Sequence, residues 1–81
     1  MNSYVASFFT HFAAQSSFRV LKNAGAQARM APVPRVLSSS CGTCVRYRAD
    51  GPMRELLHRD TEALYLENET GDFTPLWKNE R

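Results

Sequence analysis

Acidic residues are missing from the first 49 positions of this 81-residue chain. That segment holds six Lys and Arg residues and no Asp or Glu, a charge of +6, whereas residues 50–81 hold four cations and eight acidic residues, a charge of −4. The two parts nearly cancel, which leaves a net charge of +2. We expect no nucleic-acid partner, because the acidic part would be repelled by a phosphate backbone.

Long hydrophobic runs and abundant cysteine are also lacking. No apolar stretch approaches the roughly 20 residues of a membrane-spanning helix, so we expect no membrane association. The chain has two cysteines, too few for the disulfide framework of a small secreted domain, and this favours a reducing cytoplasm. Residues 1–30 resemble a transit peptide in composition, but their first cation is Arg19. Their removal would leave too small a core, so we expect a cytoplasmic domain that begins at Met1.

The chain does contain a regular series of predicted strands and helices. Apolar content and alternation predict strands over residues 4–9, 26–31, 44–48, 63–66 and 73–77. Helical spacing predicts a helix over residues 11–23, with Thr10 as its N-cap and Gly25 after its end, and a short second helix from Pro52. Pro75 restricts the last strand to a sheet edge. This order predicts an α+β fold, a ferredoxin-like βαββαβ two-layer sandwich with an extra C-terminal edge strand as an option.

We expect a single domain, since domains commonly contain about 50 to 250 residues. Residues 1–66 form its main unit, and residues 67–81 form a turn and edge strand, or a tail, of the same domain. A chain of this length buries only a modest core, so a homodimer would add stability and remains an option.

Both cysteines lie in a stretch of small residues, Ser38-Ser39-Ser40-Cys41-Gly42-Thr43-Cys44, shortly after Pro32-Val33-Pro34-Arg35. Small residues leave a sulfur accessible and allow backbone N–H groups to face an anion. A thiol reacts as its thiolate, which forms in exposed and positively charged surroundings, and both cysteines lie in the basic part of the chain. We predict a reactive thiol at Cys41, with Arg35, Arg46, Ser40 and Gly42 stabilising its thiolate.

Four interpretations of the cysteine pair are open from the residues alone. Cys41 could carry a sulfur or selenium atom, with Cys44 as a resolving thiol. The pair could cycle between dithiol and disulfide, although the residues after Cys44 are strand-like and such pairs usually precede a helix. A monomeric zinc site is not expected from one C-x-x-C motif plus the single His11 and His58, but two copies could share four thiolates. Finally, both cysteines could simply be small buried residues.

Several motifs, spread over roughly residues 3–66, match one family. These are Phe9-Thr10-His11 at the helix start, Ala24-Gly25 at its end, Pro32-Val33-Pro34-Arg35, and Ser38-Ser39-Ser40-Cys41-Gly42. In these motifs the chain resembles the selenium/sulfur (Se/S) carrier protein-like family of small bacterial and archaeal domains.

The resemblance implies that Cys41 is the characteristic cysteine of the family and that Pro34, Arg35 and Gly42 belong to its loop framework. Cys44 is not a position where we expect cysteine in the family generally, and residues 67–81 match nothing in it. We therefore expect a non-enzymatic carrier or accessory protein without a resident cofactor, with sulfur or selenium held transiently on Cys41. Its expected partners are a protein donor such as a cysteine desulfurase and a downstream acceptor enzyme. The alternative is a dithiol redox or metal-responsive interaction domain that uses both cysteines.

Overall fold

The first strand and the helix form where the sequence predicts them. In a computed structural model, which describes all 81 residues, β1 spans Asn2–Phe8 and α1 spans His11–Asn23. The Thr10 hydroxyl accepts a hydrogen bond of 3.1 Å from the Ala13 N–H, which confirms it as the N-cap. Gly25 follows the helix at a φ of 96°, a left-handed conformation that favours glycine. The model contains no helix long and apolar enough to cross a membrane.

Four further strands complete an antiparallel sheet in the order β2-β3-β1-β4-β5. β1 is central, and β5 is an outer strand, as the position of Pro75 predicts. The sheet and the single helix confirm an α+β fold. The bounds of the added strands are Gln27–Pro32 for β2, Thr43–Ala49 for β3, Thr61–Glu67 for β4 and Phe73–Lys78 for β5.

The predicted second helix is not formed, so the two-helix ferredoxin-like arrangement is not confirmed. In its place a single 3₁₀ turn spans Arg54–Leu56. Met53 precedes it in the left-handed region at a φ of 52°, and Leu57 follows it in an extended conformation. Neither conformation can be part of a right-handed helix, so the helical segment is limited to the residues between them. A segment this short gains too few hydrogen bonds to offset the cost of nucleation.

The core lies between α1 and one face of the sheet. Successive side chains of a strand point to opposite faces, so alternate residues of each strand face the helix. The helix contributes the buried Ala14 and Leu21, with Phe18 half-buried beside them, as its spacing predicts. The other face of the sheet carries no helix. The buried core residues are Tyr4, Ala6, Phe8, Ala13, Ala14, Leu21, Val45, Tyr47, Ala49 and Leu64.

One core side chain also fixes the connection between β3 and β4. The Tyr47 hydroxyl donates a hydrogen bond to the Pro52 carbonyl, and burial raises the pKa of Tyr47 above its ordinary value. On the same face, the Tyr4 ring stacks on the Tyr47 ring with centroids 5.3 Å apart, but its hydroxyl only accepts from the exposed Asn2 amide.

We predict that Tyr47→Phe lowers the free energy of unfolding by about 1 kcal/mol, because it removes a hydrogen bond and leaves the Pro52 carbonyl without its partner. Urea unfolding at neutral pH measures the change. Tyr4→Phe is the matched control, with an expected change below about 0.5 kcal/mol. Equal losses in the two variants would contradict the assignment.

Candidate functional site

The cysteine loop, residues 33–42, connects β2 to β3 and is closed by its own backbone. The Val33 N–H donates to the Gly42 carbonyl at 3.1 Å, next to the last paired residues of the two strands. The Leu37 N–H donates to the Pro34 carbonyl at 3.0 Å and forms a tight turn. Gly42 has a φ of 74°, so the turn into β3 requires a residue that tolerates the left-handed region.

Two serines tie this loop to the neighbouring strands. The Ser39 hydroxyl donates to the Phe8 carbonyl at the end of β1, at 3.2 Å. The Ser40 N–H donates to a carboxylate oxygen of Glu62 on β4, at 2.9 Å. The loop thus crosses the ends of β1 and β4. Glu62 was not expected at this site, because nothing in its local sequence links it to a loop 22 residues away.

Cys41 is the more accessible of the two cysteines. It is partly exposed, packs against the edge of the hydrophobic core, and its thiol donates to the Thr43 carbonyl at 3.4 Å. The small residues on either side of it, Ser40 and Gly42, are both exposed.

Cys44 has a different environment. It is fully buried on the sheet face opposite α1, and its thiol donates to the Pro32 carbonyl at 3.6 Å. Burial raises the pKa of the Cys44 thiol; the positive charges of Arg46 and Arg29 oppose this rise without cancelling it, and Cys41 adds to it. Cys44 is therefore held as a protonated thiol at neutral pH.

A buried serine lies beside this thiol. Ser7 on β1 is directly opposite Cys44 in the β1–β3 register, and its hydroxyl is buried without a hydrogen-bond partner. It stands in the otherwise apolar run from Tyr4 to Phe9, and that contrast was the only sequence signal for it. The side chains at these two positions are both small, so they can pack closely against each other on the sheet face that carries no helix.

The residues predicted to stabilise a thiolate are dispersed. Arg46 forms an ion pair with Glu67 at 2.8 Å, and Arg35 is exposed and forms no ion pair. Neither arginine donates a hydrogen bond to a cysteine sulfur. The Ser40 N–H is occupied by Glu62, while Gly42 shapes the backbone turn. Of the predicted set, Ser40 and Gly42 adjoin Cys41, and Arg46 lies on the face of Cys44.

The two histidines do not join the cysteines. His11 is exposed at the start of α1, and the Nδ1 atom of His58 accepts a hydrogen bond from the Asp60 N–H at 3.0 Å. No group of three or more His, Cys, Asp or Glu side chains is placed to hold a metal ion.

One family model matches most of the chain. The family model described as "Putative Se/S carrier protein-like" matches residues 3–63, from β1 into β4, and so includes both cysteines and the whole cysteine loop. β5 lies outside the matched segment. No curated protein and no solved structure gives a significant match to the chain. Because the family model matches three quarters of its residues, the chain belongs to the Se/S carrier protein-like family.

Proposed function

We propose that this protein carries a sulfur or selenium atom on Cys41 and transfers it to another protein. One observation carries the proposal: Cys41 is the only partly exposed cysteine, and it lies in a closed loop inside the segment that matches the family. A carrier thiol must reach a partner's active site, and Cys41 is partly exposed between two exposed small residues. We propose a cytoplasmic, non-enzymatic role.

Loading is a thiol exchange in which atoms and electrons balance. The Cys41 thiolate attacks the outer sulfur of a persulfide on the donor protein, and a new S–S bond forms as the donor's S–S bond breaks. The donor cysteine leaves as a thiolate and takes up the proton that Cys41 released. Selenium follows the same exchange when the donor presents it as a selenosulfide. A cysteine desulfurase is the class of donor that this step requires.

In delivery, Cys41 changes from the attacking group to the leaving group. A nucleophile of the acceptor enzyme attacks the outer sulfur or selenium, and Cys41 leaves as a thiolate. The backbone of the loop is held by its contacts with β1 and β4, so the outer atom extends from a defined position towards the acceptor. No second thiol of this chain is needed for either step.

The burial of Cys44 favours a structural role for it. A resolving thiol must ionise and reach the outer sulfur, whereas Cys44 is fully buried with a raised pKa. We infer that Cys44 packs the sheet and that Cys41 acts alone. The dithiol alternative requires both cysteines, which separates the two functions by experiment.

We predict that the wild-type chain gains the mass of one sulfur atom when incubated with a cysteine desulfurase and L-cysteine, and that dithiothreitol removes it. Cys41→Ser should abolish the gain, and Cys44→Ala should retain it, because only Cys41 is accessible. Intact-mass spectrometry measures each result.

A matched control moves the thiol within the same loop. Ser38→Cys combined with Cys41→Ser keeps one exposed loop thiol without the position of Cys41, and we expect it to load poorly. Equal loading of this control would show that any accessible thiol in the loop can be loaded, and that the position of Cys41 has no special role. Loss of the gain in Cys44→Ala would instead support the dithiol alternative.

The raised pKa of Cys44 gives a prediction for stability against pH. The folded state keeps this thiol protonated after the unfolded thiol begins to ionise, near its ordinary pKa of about 8.5. Its contribution to stability is therefore complete below that pH and is lost as the pH rises towards the folded pKa, by at most about 1.4 kcal/mol per pH unit.

Urea unfolding between about pH 7.5 and pH 9.8 tests this, a range kept below the ordinary pKa of tyrosine, about 10. Cys44→Ala should remove the part of the decline due to this thiol, and Cys41→Ser should keep most of it because burial, the largest cause of the raised pKa of Cys44, is unchanged. A decline that persists unchanged in Cys44→Ala would show that this thiol is not its source.

A further inference from the structure

A shallow groove of about 410 Å³ lies across the sheet and is lined by residues of β1, β2, β3 and β4. The alternation of the strands places its polar side chains on the face that α1 does not cover. The groove is distinct from the surroundings of Cys41, which packs against the core on the helix side. Its polar lining consists of Ser3, Gln27, Arg29, Arg46, Arg48 and Glu67.

Positive charge in this groove exceeds negative charge by three side chains to one. Only Arg46 has an ionic partner, because it is the arginine that pairs with Glu67. Arg29 and Arg48 are exposed and form no ion pair. Two guanidinium groups, each with a planar set of five donors, are thus available on the surface of the groove.

The register places two of these arginines directly opposite each other, and Glu67 offsets the charge of only one of them. Arg29 on β2 is directly opposite Arg46 on β3, and like charges in directly opposed positions destabilise a sheet. Gln27 opposite Arg48 offers no compensating charge. Local arrangements that oppose stability occur most often where a surface has a function, and an anionic ligand would relieve the repulsion.

We propose that this groove docks an acidic segment of a partner protein. The lining is open and charged, unlike small-molecule sites, which are enclosed and mostly apolar. Asp and Glu carboxylates accept the paired hydrogen bonds that arginine offers. Along β2 and β3 the groove spans three residues of each strand, 27–29 and 46–48, and across the sheet it reaches from β2 to β4, roughly 14 Å, which accommodates a short extended segment.

A nucleic-acid strand fits the same surface less well. The neighbouring depression towards the chain start is lined by Glu67 and Glu69 along with Arg48. A continuous phosphate backbone that left the groove on this side would meet two carboxylates, whereas an acidic peptide can end or change sequence there.

A titration of the ¹⁵N-labelled protein with a hexaglutamate peptide tests the proposal. We expect amide shifts confined to residues 27–29, 46–48 and Ser3. The shifts should saturate, and the binding affinity should fall as the salt concentration is raised. A hexaglutamine peptide of equal length is the ligand control and should leave these signals unchanged. Shifts centred on α1 or on the cysteine loop would overturn the proposal.

Matched variants separate the groove from general positive charge. Arg29→Gln combined with Arg48→Gln should weaken hexaglutamate binding about tenfold or more, because it removes both unpaired guanidinium groups. Arg19→Gln removes an exposed cation from α1, outside the groove, and should change affinity less than twofold. Glu67→Gln should strengthen binding, since it releases Arg46 from its ion pair.

Stability distinguishes docking residues from structural ones. Arg29→Gln should leave the Tm unchanged or raise it, because it ends the repulsion with Arg46. Equal affinity in the double variant and the wild type would overturn the proposal. So would a wild-type dimer that the double variant dissociates, since the groove would then serve a second copy. Cys41→Ser should bind hexaglutamate normally, which keeps this test independent of sulfur transfer.

Discussion

The two-residue alternation of β3 is the constraint on which the rest of the structure depends. It directs Val45 and Tyr47 into the core beneath α1, and it directs Cys44 and Arg46 to the opposite face. A shift of one residue in the β1–β3 register would exchange the two sets. Core packing therefore fixes both the burial of Cys44 and the charge of the groove.

The same register determines the position of Cys41. Pairing between β2 and β3 stops at Pro32 and Thr43, and the ten residues between them form the cysteine loop. The loop is too long for a tight hairpin turn, and its hydrogen bonds to Phe8 and Glu62 hold it over the ends of β1 and β4. Cys41 thus lies at the end of the sheet, outside the lining of the groove.

Local sequence predicted the elements that local chemistry determines. The Thr10 cap, the left-handed Gly25 and the edge position of Pro75 each depend on a few neighbouring residues. The prediction of a second helix was wrong, because the tertiary contacts of residues 52–58 outweigh helical spacing. Among them, the buried Ser17 hydroxyl of α1 accepts from the His58 N–H, 41 residues away.

The candidate site was predictable only in part for the same reason. Small residues around Cys41 indicated its accessibility, and alternation over residues 44–48 indicated the strand that contains Cys44 and Arg46. The partners of these residues are distant in sequence: Glu62 for the loop and Glu67 for Arg46. One sequence contains no signal for such pairs, so the arginines were assigned to the thiolate when the structure directs Arg46 to a carboxylate.

The fold leaves Cys41 partly exposed and buries Cys44. Alkylation of the native protein with iodoacetamide at neutral pH, followed by peptide mass spectrometry, measures the rate at each sulfur separately. We expect Cys41 to react at least about tenfold faster than Cys44, and urea to remove the difference, because a buried thiol reacts only through opening of the structure. Equal native rates at the two sulfurs, or faster reaction at Cys44, would contradict this expectation.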